Sequence, residues 1–301
     1  MAPGMACDDL RRGVKSPMSN PTAIFLISCP DQKGIVARLA GFVFQHGGNI
    51  VDSDHHSDLQ AGRFLGRIEL EVEGLDLDRT QLREGLAAIA DPMGGRWEVH
   101  FSDVVPRIAL WCSKQEHCLL DLLWRHQAGE LGAEIAFVLS NHPTLGRHVE
   151  PLGIPFHVLP VTRETKVEAE AKALTLLRSK RVDLVILAKY MQVLSPEFLG
   201  VFPSVINIHH SFLPAFAGAQ PYHQAHARGV KLIGATAHYV TPDLDSGPII
   251  DQDVVRVSHR DTVEDLVRKG KDMERLALSR AVRLHLQHRV LTYGNKTVVF
   301  E

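Results

Sequence analysis

The 301-residue chain reads as α/β in two modules: a small βαββαβ unit, then a doubly wound, mostly parallel α/β sheet. Three observations predict this. Up to about residue 102 the hydrophobic period runs strand, helix, strand, strand, helix, strand. Beyond residue 103 strands alternate with helices, the order that lays helices on both faces of a parallel sheet. The length allows two cores at ~150 residues per domain, and 45% hydrophobic with 23% charged residues is enough apolar material to fill them, which excludes disorder for most of the chain.

In the first module, Ala23-Ile24-Phe25-Leu26-Ile27-Ser28 is strand-like until Pro30-Asp31 breaks it. Ile35, Val36, Leu39, Ala40, Val43 and Phe44 then recur at helical spacing, and Gly47-Gly48-Asn49 stops the helix. Ile50 and Val51 begin a second strand. Phe64 to Val72 alternates apolar and polar residues, as a strand with one buried face would. Leu82, Leu86 and Ile89 mark a second helix, and Trp97 to Phe101 a closing strand. This is the ferredoxin-like, split βαβ order. Residues 1–20 read as a flexible leader, 21–102 as this module and 103–301 as the second.

The second module predicts strands at 106–112, 133–139, 156–159, 182–188 and 205–208, with helices at His117–Gln127, Leu145–Leu152 and Lys166–Lys180 between them. Two less regular strands follow at 230–240 and 249–257. Pro221 suits the first turn of a further helix. A long helix runs from about Thr262 to His288, with Thr262 as N-cap and Asp265 three residues on. Its basic residues are balanced by Glu264, Asp265, Asp272 and Glu274, which reads as a solvated or subunit-contact face. Lys166, Glu168, Glu170 and Lys172 read as a charged helix face. Tyr293 to Thr297 reads as a terminal turn and Val298-Val299-Phe300 as a short strand.

Composition excludes several function classes. Lys+Arg 33 against Asp+Glu 35 leaves a net charge of -2, so the chain is not a basic nucleic-acid binder. No run approaches the ~20 apolar residues of a membrane span; the most apolar, Val182 to Leu194, carries Asp183 and Lys189. The first twenty residues hold no apolar signal core, and Cys7, Cys29, Cys112 and Cys118 form no CxxC pair. A reducing cytoplasm is the expected setting.

Cys29-Pro30-Asp31-Gln32-Lys33-Gly34-Ile35-Val36, followed by His46-Gly47-Gly48-Asn49-Ile50, resembles the ACT family of regulatory domains. The resemblance implies either an amino-acid effector, for which relatives suggest glycine or methionine, or a module that only oligomerises; a homo-oligomer is expected in both cases.

The chemistry centres on Asn207-Ile208-His209-His210-Ser211-Phe212-Leu213-Pro214, at the end of a strand where open α/β sheets collect ligands. Asn207 and His209 are two apart on an extended segment, so they share a face. An amide donor and an imidazole there can hold a carbonyl oxygen and trade a proton beside it. Asp245, in the loop Thr241-Pro242-Asp243-Leu244-Asp245-Ser246-Gly247-Pro248, could complete the set. Taken singly, Asn207 suits a turn, His209 a polar strand end and Asp245 a turn former.

Together these residues resemble the formyltransferases that use 10-formyltetrahydrofolate, whose pattern is Asn-x-His-x-Ser-Leu-Leu-Pro followed by His and Asp-x-Gly-x-Ile-Ile. The resemblance implies catalytic roles for Asn207, His209 and Asp245, supporting roles for His210 and His238, and folate contacts at Met191, Gln192, Val193, Leu194, Thr241 and Asp243. Two departures point away from glycinamide ribonucleotide transferases. Their Gly-Asn-Gly-type phosphate loop is replaced by Cys112-Ser113-Lys114-Gln115-Glu116-His117, without glycine, and His210 stands where the family has proline. With the ACT-like front, the chain is similar to the deformylase family that hydrolyses 10-formyltetrahydrofolate to tetrahydrofolate and formate, feeding purine synthesis and balancing one-carbon pools. Folate is then the substrate, and no cofactor or metal is expected. The seventeen histidines include no His-Glu-x-x-His motif, and His223 and His226 read as structural. The alternatives are a formyltransferase with an amine acceptor and an idle folate or amino-acid sensor.

Overall fold

The computed structural model describes residues 20–214 and 221–301. The expected flexible leader, apart from Asn20, and Cys7 with it, lie outside the described residues. The chain divides into two compact units, one running to Val104 and including Gln127–Glu130, the other made of Val105–His126 and Leu131–Glu301.

The first unit is β1 (Thr22–Pro30), α1 (Ile35–Gln45), β2 (Ile50–Asp58), β3 (Arg63–Glu71), α2 (Arg79–Ala90) and β4 (Arg96–Phe101). Its four strands form an antiparallel sheet in the order β2-β3-β1-β4. Ile35, Leu39 and Val43 of α1 and Leu82 and Leu86 of α2 pack with Phe25, Ile27 and Leu70 of the sheet into one core. Asp78 caps α2: its carboxylate accepts from Thr80 N (2.8 Å) and Gln81 N (2.9 Å), and the Gln81 side chain accepts from Asp78 N (2.9 Å). The one-faced burial expected of the third strand is not what forms. β3 lies between two neighbours, and Arg67 on its polar face is only 2% exposed, paired with Asp52 and Glu69 at 2.6 Å each. That face also buries Ile24, Leu26 and Leu65, and Asp52 and Glu69 compensate the arginine's charge there.

The second unit opens with β5 (Arg107–Cys112), α3 (His117–Gln127), β6 (Glu134–Ser140), α4 (Gly146–Val149), β7 (Phe156–Val158), α5 (Lys166–Ser179) and β8 (Leu184–Leu187). It continues with α6 (Pro196–Val201), β9 (Val205–His209), α7 (Pro221–Arg228), β10 (Leu232–Tyr239), β11 (Ile249–Arg256), α8 (Val263–Leu286), β12 (Val290–Tyr293) and β13 (Lys296–Val299). The central sheet runs β11-β10-β9-β8-β5-β6-β7. β9, β8, β5, β6 and β7 are parallel; β10 and β11 are antiparallel additions at one edge. From β5 the chain winds outward through β6 and β7, then returns to the other side of β5 for β8 and β9. The carboxyl ends of β5 and β8 are therefore the topological switch point, where such sheets open a crevice.

Alternation along β5 supplies both cores. Ile108 and Leu110 join Leu119 and Leu122 of α3 and Leu278 and Val282 of α8 on one face. Ala109 and Trp111 join Ala173 and Leu177 of α5 and Phe198 of α6 on the other.

Four expectations need correcting. The helix foreseen over Leu145–Leu152 is a broken run, one α turn at Gly146–Val149 between 3-10 turns at Pro143–Leu145 and Glu150–Leu152, because Pro151 has no amide proton to donate. α6 was not foreseen; it is short, opened by Pro196 and capped by Ser195, whose hydroxyl accepts from Phe198 N (3.1 Å). The final segment is a hairpin of β12 and β13 rather than a turn and a lone strand. β10 and β11 pair regularly over most of their length, with one bulge at Ala237/His238.

Candidate active site

β9 delivers Asn207 and His209 to the carboxyl edge of the sheet. Both line a cavity of about 610 Å³ with the segment after β8 and the loop after β10. Antiparallel pairing sets His238 of β10 opposite Asn207. The loop then turns back over β9. Asp245 takes φ +53, and at Gly247 a Cβ would stand 1.8 Å from the Tyr239 carbonyl oxygen, so only glycine permits the approach. Tyr239 N donates to Pro248 O (2.9 Å) and closes the loop.

The result is a convergence of four side chains. His209 Nδ1 lies 3.1 Å from Asp245 Oδ2, and His238 Nε2 lies 3.7 Å from Asp245 Oδ1. His238 Nδ1 donates to Tyr239 O (2.9 Å), which leaves its Nε2 to accept from Asn207 Nδ2 (3.2 Å). The hydrogen bond from His209 is the main cause that holds the Asp245 carboxyl well below the usual carboxylate range despite its burial. His209 is 6% exposed, and its Nε2 is buried without a partner among the described residues. An imidazole anchored at one nitrogen and free at the other is poised to take or give a proton.

Of the expected folate contacts, Met191, Gln192, Val193, Leu194 and Thr241 line the cavity. Asp243 does not; its carbonyl accepts from Thr241 Oγ1 (3.1 Å) and so shapes the loop. Two braces hold the Met191–Leu194 segment. Ser113 Oγ accepts from Met191 N (2.9 Å) while donating to Asn141 Oδ1 (2.7 Å). Glu170 accepts from Ser195 N (3.0 Å) and from Ser195 Oγ. Glu170, expected on a charged helix face, is thus also a tether. Neither brace was foreseen; the polar Ser113 at the end of a buried switch-point strand is the signal that could have found one of them.

A second group was also unforeseen. Glu274 of α8 is 2% exposed, so it is not on the solvated face the charge balance suggested. His117 Nε2 lies 2.6 Å from its Oε2 and Lys189 Nζ 3.3 Å; Tyr222 OH donates to its Oε1 (2.9 Å). At Gly270 a Cβ would meet Tyr222 OH at 2.0 Å, so the glycine one helical turn earlier opens the path to Glu274. Burial pushes the Glu274 carboxyl up, but the His117 hydrogen bond and the Lys189 charge outweigh it and bring it to about 2. Lys189 Nζ also lies 3.4 Å from His210 Nδ1, and the His210 ring stacks on His209 with centroids 4.7 Å apart. Burial, then Lys189 and His209, lower His210 to about 4, so it is neutral near pH 7. The signals were a charged residue at i+4 within the apolar stripe of α8, and Lys189 inside the most apolar run of the chain. His223, read as structural, stands exposed at the cavity rim.

His117, Cys118 and Glu274 are a donor set close enough to share a metal ion. The fit is poor: the carboxylate is already held by Lys189, His117 and Tyr222, and burial with the Glu274 charge pushes the Cys118 thiol well above its ordinary value.

The doubly wound frame and the site at its switch point are those of the formyl transferase family, whose model, Formyl transferase, matches residues 106–282. A formyltetrahydrofolate deformylase from Synechocystis sp. is 57% identical over 283 residues, covering 94% of this chain and 100% of that one. One from Bacillus subtilis is 48% identical, covering 91% and 92%. The crystal structure of a formyltetrahydrofolate deformylase from Pseudomonas syringae pv. tomato superposes with a TM-score of 0.91 at 47% identity, covering 94% of this chain and 95% of that one. The chain belongs to the formyltetrahydrofolate deformylase family.

Proposed function

We propose that the chain hydrolyses 10-formyltetrahydrofolate to tetrahydrofolate and formate. The observation that carries the reading is the unpartnered His209 Nε2, set in the cavity beside Asn207 and anchored through its other nitrogen to Asp245.

In the mechanism that follows, Met191–Leu194 and Thr241 hold the pterin end and place the N10-formyl carbon between Asn207 and His209. His209 Nε2 takes a proton from water as its oxygen bonds to that carbon. Asp245 orients the ring and stabilises the imidazolium; both its oxygens face imidazoles, so it is a poorer direct base for water. The Asn207 amide donates to the developing oxyanion. As the tetrahedral centre collapses, the C–N10 bond breaks and the imidazolium passes its proton to N10. Formate leaves, and His209 returns to its starting state. No step requires a metal, and full activity after chelation is the expected check. Incubation with 10-formyltetrahydrofolate and no amine should accumulate formate in step with tetrahydrofolate. A strict requirement for an amine would make it a transferase instead.

The finer features are part of the same reading. The βαββαβ order and the antiparallel sheet β2-β3-β1-β4 support an ACT-type regulatory module for the first unit; a cytoplasmic homo-oligomer belongs to the same proposal. Among the described residues, no helix is long and apolar enough to cross a membrane. Glycine and methionine are the effectors to test first; a rate and melting temperature unmoved across a panel of amino acids would remove the regulatory role. Formate so released would supply purine synthesis.

A further inference from the structure

Among the described residues, the carboxylates that line the cavity are Asp245 and Glu274. Asp245 is spent on His209 and His238. Glu274 is spent on the protein's own cation and donors: Lys189 at 3.3 Å, His117 at 2.6 Å and Tyr222 at 2.9 Å. Lys189 is 4% exposed, takes φ +64, and places its ammonium beside His210, whose ring stacks on His209. A primary amine in water is mostly an ammonium. To receive a formyl group it must first give up a proton, which an open carboxylate beside it would favour. Here the side of the cavity next to the reacting imidazole already holds such a cation, ion-paired and so without a lone pair to attack. An entering ammonium would meet a like charge and find no open carboxylate. Water is neutral and meets neither obstacle.

We propose that the buried Lys189–Glu274 pair decides the formyl acceptor, keeping amines out so that water is the nucleophile. The inference rests on the hydrolase reading above. Lys189 is here a specificity-determining residue: its ammonium fills the place an acceptor amine would need. With it removed, an amine nitrogen would bond to the formyl carbon, the C–N10 bond would break, and the amine's proton would pass through His209 to N10.

The test uses the 301-residue chain, 10-formyltetrahydrofolate and glycinamide as the amine, with formate and N-formylglycinamide quantified together. Wild type should give formate alone, with no competitive inhibition by glycinamide. Lys189→Met should raise the N-formylglycinamide-to-formate ratio at least about tenfold. Lys189→Gln, which keeps a donor toward Glu274 without the charge, should raise it too. An active variant whose ratio stays at the wild-type value across a glycinamide titration overturns the proposal. So does wild type itself if glycinamide is formylated or competes with substrate, a result that needs neither variant to fold. Failure of wild type to release formate without amine is a different outcome, and sinks the hydrolase reading instead.

Discussion

The two polar groups of the cavity are built on opposite principles. At the Asn207–His209–Asp245 end, hydrogen-bonding capacity is left over: the His209 Nε2 is buried and unpartnered. At the Lys189–Glu274 end, the carboxylate accepts from three side chains, one on each of two helices and one after β8. Burying a polar atom unsatisfied costs free energy, and at His209 a ligand in the cavity can repay that cost. Burying charges that are fully paired adds little to stability but fixes shape and sign. The first end is thus arranged for chemistry and the second for exclusion.

That contrast makes graded predictions. Asn207→Ala, His209→Ala and Asp245→Ala should each lower turnover by ~10²–10³, with circular dichroism and folate binding near wild type; undiminished turnover in any one would erase the distinction between the two ends. Glu274→Ala should act mainly on stability. It strands the buried Lys189, and losing one partner of a buried pair costs ~3–5 kcal/mol, to be read from the urea midpoint. A folded, equally stable variant would mean the pair is not saturated as drawn. Ser113→Ala removes one hydrogen bond to the Met191 amide and one to Asn141. At ~1 kcal/mol net per bond, KM for the folate should rise several-fold with little change in kcat. The smallest effect concerns pH. His210 lies at about 4 against an ordinary 6.5, through burial, then Lys189 and His209. The unfolded chain therefore binds more protons between those values, and this contribution to stability is full above pH 6.5 and lost as pH falls toward 4. His210→Gln should flatten the melting temperature against pH in that window; an unchanged slope would assign it to other groups. Glu274, brought to about 2 from an ordinary 4.5, acts in the same direction but only below pH 4.5.

Much of this architecture was legible in the order of residues. Ile35, Leu39 and Val43 repeat at helical spacing and are the buried stripe of α1. Thr262 and Asp265 mark the start of α8, where both halves of the capping box form. Asn207 and His209 alternate onto one face of β9, and both line the cavity. What escaped was what depends on a neighbour. Glu170 read as part of a charged surface until Ser195 was seen to receive it. Phe64 to Val72 read as a strand with one buried face, yet Arg67 on its polar side is buried against Asp52 and Glu69. Leu145–Leu152 carried a helical period that Pro151 interrupts.

The sequence by itself determined the periods, the caps, the two-module order and the polar trio, since each is written in spacings of a few residues and obeys the local geometry of helix and strand. Only the tertiary structure decided which charges are inside. Glu274, Lys189 and His117 lie on separate elements, and each alone would be too costly to bury. They become an interior cluster only because the winding of the sheet brings α3, α8 and the segment after β8 to one edge, where each offsets the desolvation of the others.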